Sequence, residues 1–247
     1  MKRTPAAKFL IFCLIIFGLA GLFTCPGMAS GTESLITTNN NGFNHQLPRI
    51  FNDRIVWQDS DLLSSFGIIQ TYTIASGVET QVTDNTSYAI HPATSRDLIT
   101  YTDCGGDSWC SSSSVYLYDP VAGTRIQVSS GMDVQDNSAI SGNRIVWWDN
   151  PGVGMPTQIY INDTPPGTGI LLDSSGNNQT SPSIYDYLVA YTDCGSDAAC
   201  GSDTTISVYN FSSRTRTQVS PGSGWNVYPA IYGNHVVWQG ASTSLAP

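Results

Sequence analysis

The sequence predicts an all-β fold, a β-propeller, from two observations. First, a four-residue phrase recurs five times, as Arg54-Ile55-Val56-Trp57, Leu98-Ile99-Thr100-Tyr101, Arg144-Ile145-Val146-Trp147, Leu188-Val189-Ala190-Tyr191 and His235-Val236-Val237-Trp238, and its closing aromatics stand 44, 46, 44 and 47 residues apart. A period near 45 residues with strand-like content is that of propeller blades of about four strands each. Second, short segments rich in Gly, Pro, Asn and Asp separate the apolar runs, and helix signals are absent after the first thirty residues. That is the pattern of successive antiparallel hairpins.

Taken in chain order, the N-terminus comes first. Lys2, Arg3 and Lys8 precede a 15-residue apolar run, Phe9 to Phe23, which is followed by Pro26-Gly27-Met28-Ala29. Charged, apolar and small-residue segments in that order are the grammar of a secretory signal, expected over residues 1–29 with Ser30 as the first mature residue. The run falls short of the roughly 20 residues that span a bilayer, so the mature chain is not expected to insert in a membrane. Residues 30–247 then form one propeller domain. Its repeats are expected at approximately 46–90, 91–135, 136–180 and 181–226, with a split unit made of 30–45 and 227–247.

Within a unit, an approach such as Tyr228-Pro229-Ala230-Ile231-Tyr232-Gly233-Asn234 leads to the repeated phrase, read as the first strand of the blade. This strand is continuously apolar, as a strand covered on both faces is, and a place nearest the central axis would cover it so. The five aromatics Trp57, Tyr101, Trp147, Tyr191 and Trp238 are therefore expected to fill the core. A second apolar segment, Val115-Tyr116-Leu117-Tyr118, follows, and after the turn Asp119-Pro120-Val121-Ala122-Gly123 comes the strand Thr124-Arg125-Ile126-Gln127-Val128-Ser129. Glu33-Ser34-Leu35-Ile36-Thr37-Thr38 resembles a last strand and the C-terminus stops soon after a first one, so the two ends are expected to share one blade and close a five-bladed ring without a free sheet edge.

Four cysteines follow the signal, in two matching segments, Asp103-Cys104-Gly-Gly-Asp-Ser-Trp-Cys110 and Asp193-Cys194-Gly-Ser-Asp-Ala-Ala-Cys200. Four cysteines allow three connectivities, and the duplication favours the local bonds Cys104–Cys110 and Cys194–Cys200. Each would contribute roughly 2 kcal/mol in an oxidising compartment. A zinc site would need pairs two to four residues apart. Beyond residue 29 the chain has seven Arg and no Lys against 19 acidic residues, a balance that excludes nucleic acid and anionic lipid as partners.

The phrases Pro229-Ala230-Ile231-Tyr232-Gly233-Asn234-His235-Val236-Val237-Trp238-Gln239 and Val115-Tyr116-Leu117-Tyr118-Asp119-Pro120-Val121-Ala122-Gly123 resemble the TolB-like β-propeller repeats of secreted and surface proteins of archaea, over nearly all of residues 33–240. The resemblance implies the fold and an extracytoplasmic setting. In the bacterial periplasmic relative the propeller is a protein-binding module attached to another domain.

Candidate chemistry lies in Asp59, Asp103, Asp149 and Asp193, each two residues after a repeat aromatic, with Gly240 at the fifth position. At one mouth of a channel they would form an acidic collar able to hold a hard cation such as Ca²⁺. The competing reading, which repetition favours, is that each Asp accepts backbone N–H bonds in the loop that follows. A glycosidase-like propeller would use two such carboxylates in different roles, whereas these occur in near-identical contexts. His45, His91 and His235 show no metal-ligand spacing, and no nucleophile elbow or phosphate loop is present. Sequons at Asn85, Asn162, Asn178 and Asn210 are expected in turns or loops, open to glycosylation.

The sequence thus points to a secreted or cell-surface propeller without catalytic activity or cofactor, acting as a structural or interaction module for a protein or a surface glycan. The alternatives are a carbohydrate-active propeller using the Asp collar and a truncated fragment of a longer array. Intact-mass and N-terminal peptide analysis of exported protein should find Ser30 as the first residue; retention of Phe9–Phe23 would show an uncleaved anchor instead.

Overall fold

In a computed structural model of the chain, residues 35–37, 43–61, 67–129, 133–163, 169–201 and 203–241 are described. The expected signal segment, residues 1–29, lies outside them. The described chain is all β, laid out in five consecutive antiparallel sheets. Sheet 1 holds β1 (Phe43–Phe51), β2 (Arg54–Asp61), β3 (Gly67–Thr73) and β4 (Val78–Gln81). Sheet 2 holds β5 (Ala89–Ser95), β6 (Leu98–Asp103), β7 (Ser114–Asp119) and β8 (Thr124–Gln127). Sheet 3 holds β9 (Val134–Ser141), β10 (Arg144–Asn150), β11 (Gln158–Asp163) and β12 (Ile170–Leu171). Sheet 4 holds β13 (Gln179–Tyr185), β14 (Leu188–Asp193), β15 (Thr205–Asn210) and β16 (Thr215–Gln218). Sheet 5 holds β17 (Trp225–Tyr232) and β18 (His235–Ala241).

The repeated phrase is the second strand of each sheet, not the first. The approach segment is itself a strand, and these first strands lie against one another in series, β1 on β5, β5 on β9, β9 on β13 and β13 on β17. The phrase reads as an axial strand because it is covered on both faces; the cover comes from neighbouring sheets one strand further out. The strand run Phe43–His45 consequently belongs to sheet 1, pairing with β2, and not to a split unit.

Three of the repeat aromatics pack back on the preceding sheet. Tyr101 of β6 meets Val56 and Ile69 of sheet 1, Trp147 of β10 meets Val115 and Leu117 of sheet 2, and Tyr191 of β14 meets Val146, Ile159 and Ile161 of sheet 3. Trp57, Tyr101, Trp147 and Tyr191 are all buried, as expected of core. Two also stack on a cross-strand partner, Tyr101 on Tyr116 and Trp147 on Tyr160, both with centroids 6.0 Å apart. Gly169 makes room for Trp147, since a Cβ there would stand 2.8 Å from the indole ring.

Trp238 departs from this pattern. It is half-buried, with its indole N–H donated to Asn226 Oδ1 at 3.0 Å, and Val237 beside it is 66% exposed. Residues 35–37, part of the expected closing strand, carry no strand, and among the described residues β18 pairs only with β17. Glu33, Ser34 and Thr38 of that expected strand lie outside the described residues.

Every first strand carries a β-bulge, seen as a register shift after Gln46, Ile90, Asp136, Thr180 and Val227. The next residue has positive φ in all five, Leu47, His91, Asn137, Ser181 and Tyr228, each ten positions before the repeat aromatic. Four of them precede a proline, Pro48, Pro92, Pro182 and Pro229, which cannot donate to a ladder and so belongs at a bulge. A non-glycine residue in this conformation costs about 1–2 kcal/mol. Neighbouring strands offset that cost; His91 Nδ1 stands 2.6 Å from Asp136 Oδ1, joining β5 to β9.

Burial pushes the Asp136 carboxyl up, but the His91 hydrogen bond and charge and the Asn137 N–H together hold it below its ordinary value. A depressed carboxylate contributes stability above the unfolded-state pKa near 3.9 and loses it as pH falls through the folded value. Asp136→Asn should therefore cost about 1.5–3 kcal/mol near neutrality. In urea titrations from pH 6 downward, the gap between variant and parent should close below about pH 4; a gap constant to pH 2 would show that the carboxylate is not in this linkage.

Candidate functional site

The four repeat carboxylates sit near the ends of the second strands, one strand out from the inner series, and each is engaged within its own sheet. Asp103 accepts from Gly105 N–H at 2.7 Å and Asp193 from Gly195 N–H at 2.9 Å, turning the chain into the loops that follow. Each also pairs with an arginine on the last strand of its sheet, Asp103 with Arg125 and Asp193 with Arg216, the latter at 2.5 Å. Asp59 faces His45 Nδ1 at 2.5 Å. Asp149 has only Gln135 Nε2, at 3.2 Å, and its other oxygen is buried without a partner. Burial pushes the Asp149 carboxyl up, against the Gln135 hydrogen bond, and the charge of Asp133 adds to the rise.

Asp103 and Asp193 thus accept backbone N–H bonds in the loops that follow, as repetition suggested, whereas among the described residues Asp59 and Asp149 meet only side chains, so the four contexts are not near-identical. Two carry arginine, one histidine and one no cation. Among the described residues no three His, Cys, Asp or Glu side chains gather in a group able to hold a metal ion.

The loops opened by Asp103 and Asp193 are closed by the expected local disulfides, Cys104–Cys110 and Cys194–Cys200, with Cα atoms 4.8 and 5.0 Å apart. Of the sequons, Asn162 lies inside β11, not in a turn, and its side chain is buried; Asn178 is buried too, its Oδ1 accepting from Thr157 N–H and its Nδ2 facing Gly195 O. Asn210 is half-buried at the end of β15, and Asn85 stands exposed.

The turns joining first to second strands converge from all five sheets on one funnel of about 760 Å³. Phe51, Arg96, Arg144, Asp186, Tyr185 and Tyr232 are among its lining residues. The Tyr185 and Tyr232 rings meet edge to face with centroids 4.8 Å apart, bridging sheets 4 and 5. Arg144 is tied down by Asp163 at 3.1 Å. Arg96 is exposed, and among the described residues its guanidinium has neither a hydrogen bond nor an ion pair.

Arg96 also occupies a demanding backbone position. The equivalent turn residues, Asn52, Gly142, Asp186 and Gly233, all have positive φ and are of the types that tolerate it. Arg96 has φ 56°. Sequence reading overlooked it, along with the His45–Asp59 and His91–Asp136 pairs, although an Arg among Gly, Asn and Asp in aligned turns was a visible signal.

No family model matches the chain, and no curated protein matches it in sequence. Its fold does have solved counterparts. TolB from Acinetobacter baumannii superposes with a TM-score of 0.56 at 18% identity, over 82% of this chain and 49% of that one. A chain of a nidogen/laminin complex gives 0.55 at 11%, over 78% and 70%. A prolyl endopeptidase gives 0.62 at 10%, over 87% and 35%. The chain spans about half the length of that TolB. At these identities the likeness establishes the fold, a TolB-like β-propeller.

Substitution should rank the four aspartates by partner. Asp103→Asn and Asp193→Asn strand a part-buried arginine and should each lower stability by about 1–3 kcal/mol. Asp149→Asn removes a carboxylate disfavoured by burial and should change stability by under about 1 kcal/mol at neutral pH, with a gain that fades as pH falls toward 4. Equal losses at all four positions in denaturant titrations would contradict this ranking.

Proposed function

We propose that this chain is a non-catalytic propeller module working outside the cytoplasm, secreted or on the cell surface, and that it binds a protein segment at the funnel where the five inner turns meet. The observation that carries the reading is Arg96. An exposed, unpaired guanidinium in a conformation that favours Gly or Asn costs stability, and such costs collect at functional positions. Aromatic residues and arginine are the side chains that dominate binding energy at protein interfaces, and Phe51, Tyr185, Tyr232, Arg96 and Arg144 supply both.

An Arg-bearing mouth on a strongly acidic chain selects for a partner segment with carboxylates, and the acidic remainder repels that segment elsewhere. The signal at residues 1–29 and the two disulfides support an oxidising compartment. A five-bladed ring remains our reading of the blade number, supported by five inner turns bordering one cavity. The nidogen/laminin chain, itself part of a protein complex, supports protein recognition as a use of this fold, although fold alone assigns none.

The test separates stability from binding. Arg96→Gly restores the residue found at two equivalent turns, so it should stabilise the protein by about 1 kcal/mol. Peptides selected by display on the parent should be rich in Asp, Glu and aromatic residues and should bind Arg96→Gly at least about tenfold more weakly. Failure to select any peptide, or selected peptides indifferent to Arg96→Gly, would overturn the reading.

A further inference from the structure

The two disulfide modules share sequence spacing and backbone bonding but differ in what fills the space beside them. In sheet 4 that space is closed. Asn177 Nδ2 reaches both Asp193 oxygens at 3.0 and 3.3 Å, and Tyr191 Oη donates to Asp173 Oδ2 at 3.0 Å. Arg216 spans the two carboxylates, Asp193 at 2.5 Å and Asp173 at 3.4 Å. Asn177, Tyr191, Arg216 and both carboxylates each have a partner within this cluster.

Sheet 2 has the same frame without the filling. Tyr88 N–H donates to Gly105 O as Asn178 N–H does to Gly195 O, so Ser87 stands where Asn177 stands. Val82 N–H donates to Ile69 O as Leu172 N–H does to Ile159 O, so Thr83 stands where Asp173 stands. Both replacements are shorter, and one removes a charge. Tyr101 and Ser87 are consequently left with buried hydroxyls that have no partner, Ser87 being 8% exposed. A cavity of about 570 Å³ opens at Ser87, walled also by Asp103, Asp107, Ser113, Tyr116 and Arg125.

The wall chemistry restricts the ligand. Asp103 and Arg125 neutralise each other, and the guanidinium lies 3.8 Å over the Tyr116 ring, so it is fixed in place. Asp107 adds a negative charge while accepting the Trp109 and Ser111 N–H groups, both at 2.9 Å, which shape the loop. Anions are repelled, and a metal ion would have to displace Arg125 from Asp103. What remains is a neutral molecule with several hydroxyls, able to donate to carboxylates and accept from hydroxyl and guanidinium donors.

Trp109 adds an apolar element. It is 89% exposed on the six-residue disulfide loop, whose counterpart in sheet 4 has Ala199. An indole held out on a cross-linked loop is pre-organised contact area. We propose that the cavity beside the Cys104–Cys110 loop binds a neutral hexose residue of a glycan, with hydroxyls in the Asp103–Arg125 cavity and the C–H face of a sugar ring on Trp109. The site is separate from the funnel, since Arg96 precedes β6 and Asp103 ends it.

Saturation-transfer NMR and tryptophan fluorescence on the whole mature protein test this, with neutral tetrasaccharides of glucose, mannose and galactose as probes. At least one should bind in the millimolar range or tighter and blue-shift the emission. Ser87→Asn, which copies the sheet 4 filling, and Trp109→Ala, an exposed change, should each weaken that binding at least about tenfold. Circular dichroism and the absence of free thiols report the fold, and Arg96→Gly should bind the sugar like the parent. No transfer from any probe, or binding unchanged in folded Ser87→Asn and Trp109→Ala, would overturn the proposal.

Discussion

Everything in this molecule depends on the burial of one sheet face by the next. A four-stranded sheet with a second strand as apolar as Leu98–Tyr101 cannot leave either face in water, and no helix is present among the described residues to cover it. The repeat aromatic resolves this by packing back into the preceding sheet, so that stability is shared between neighbours and each unit needs the one before it. Sheet 5 shows the consequence at the end of the series. With two strands and an unpaired edge among the described residues, its Trp238 has the same sequence context as Trp147 but reaches only half-burial.

A frame so repetitive makes local polar bonding repetitive as well. The bulge of the first strand recurs at a fixed distance from the aromatic because positive φ, followed by proline in four of the five strands, breaks the ladder at the same place. After the aromatic, Asp103 and Asp193 take the chain out of the second strand through a turn, where a carboxylate can accept N–H groups, while Asp59 and Asp149 bond to side chains of the first strand. Repetition of a residue therefore reports a structural duty. Among the described residues these copies form no group able to hold a metal ion, and each is bonded within its own sheet.

The period, the disulfides and the turn bonding of Asp103 and Asp193 were legible in the sequence, because each is encoded by residues close together. The strand order was not. Arg54–Trp57 reads identically whether its cover comes from the axis or from adjoining sheets, and only the contacts between first strands decide it. His91 and Asp136 stand 45 positions apart, and nothing in either segment announces the pairing. The burial of Asn162 was missed for a related reason: a sequon read as a turn falls on a strand that is covered on both faces at Ile161 and Asn162.

Function in such a chain is best sought where one copy departs from the others while the backbone does not. Arg96 keeps the turn geometry of Gly142 and Gly233 with a residue poorly suited to it. Ser87 keeps the bond pattern of Asn177 without its reach, and Trp109 keeps the loop of Ala199 while exposing a large apolar ring. Each substitution forgoes stability that a neighbouring repeat demonstrates to be attainable in the same frame, through a relaxed turn, a satisfied hydroxyl or a small polar-compatible loop residue. Divergence that is costly in itself, inside a fold that tolerates the cheaper residue elsewhere, is the physical signature of a position held for something other than folding.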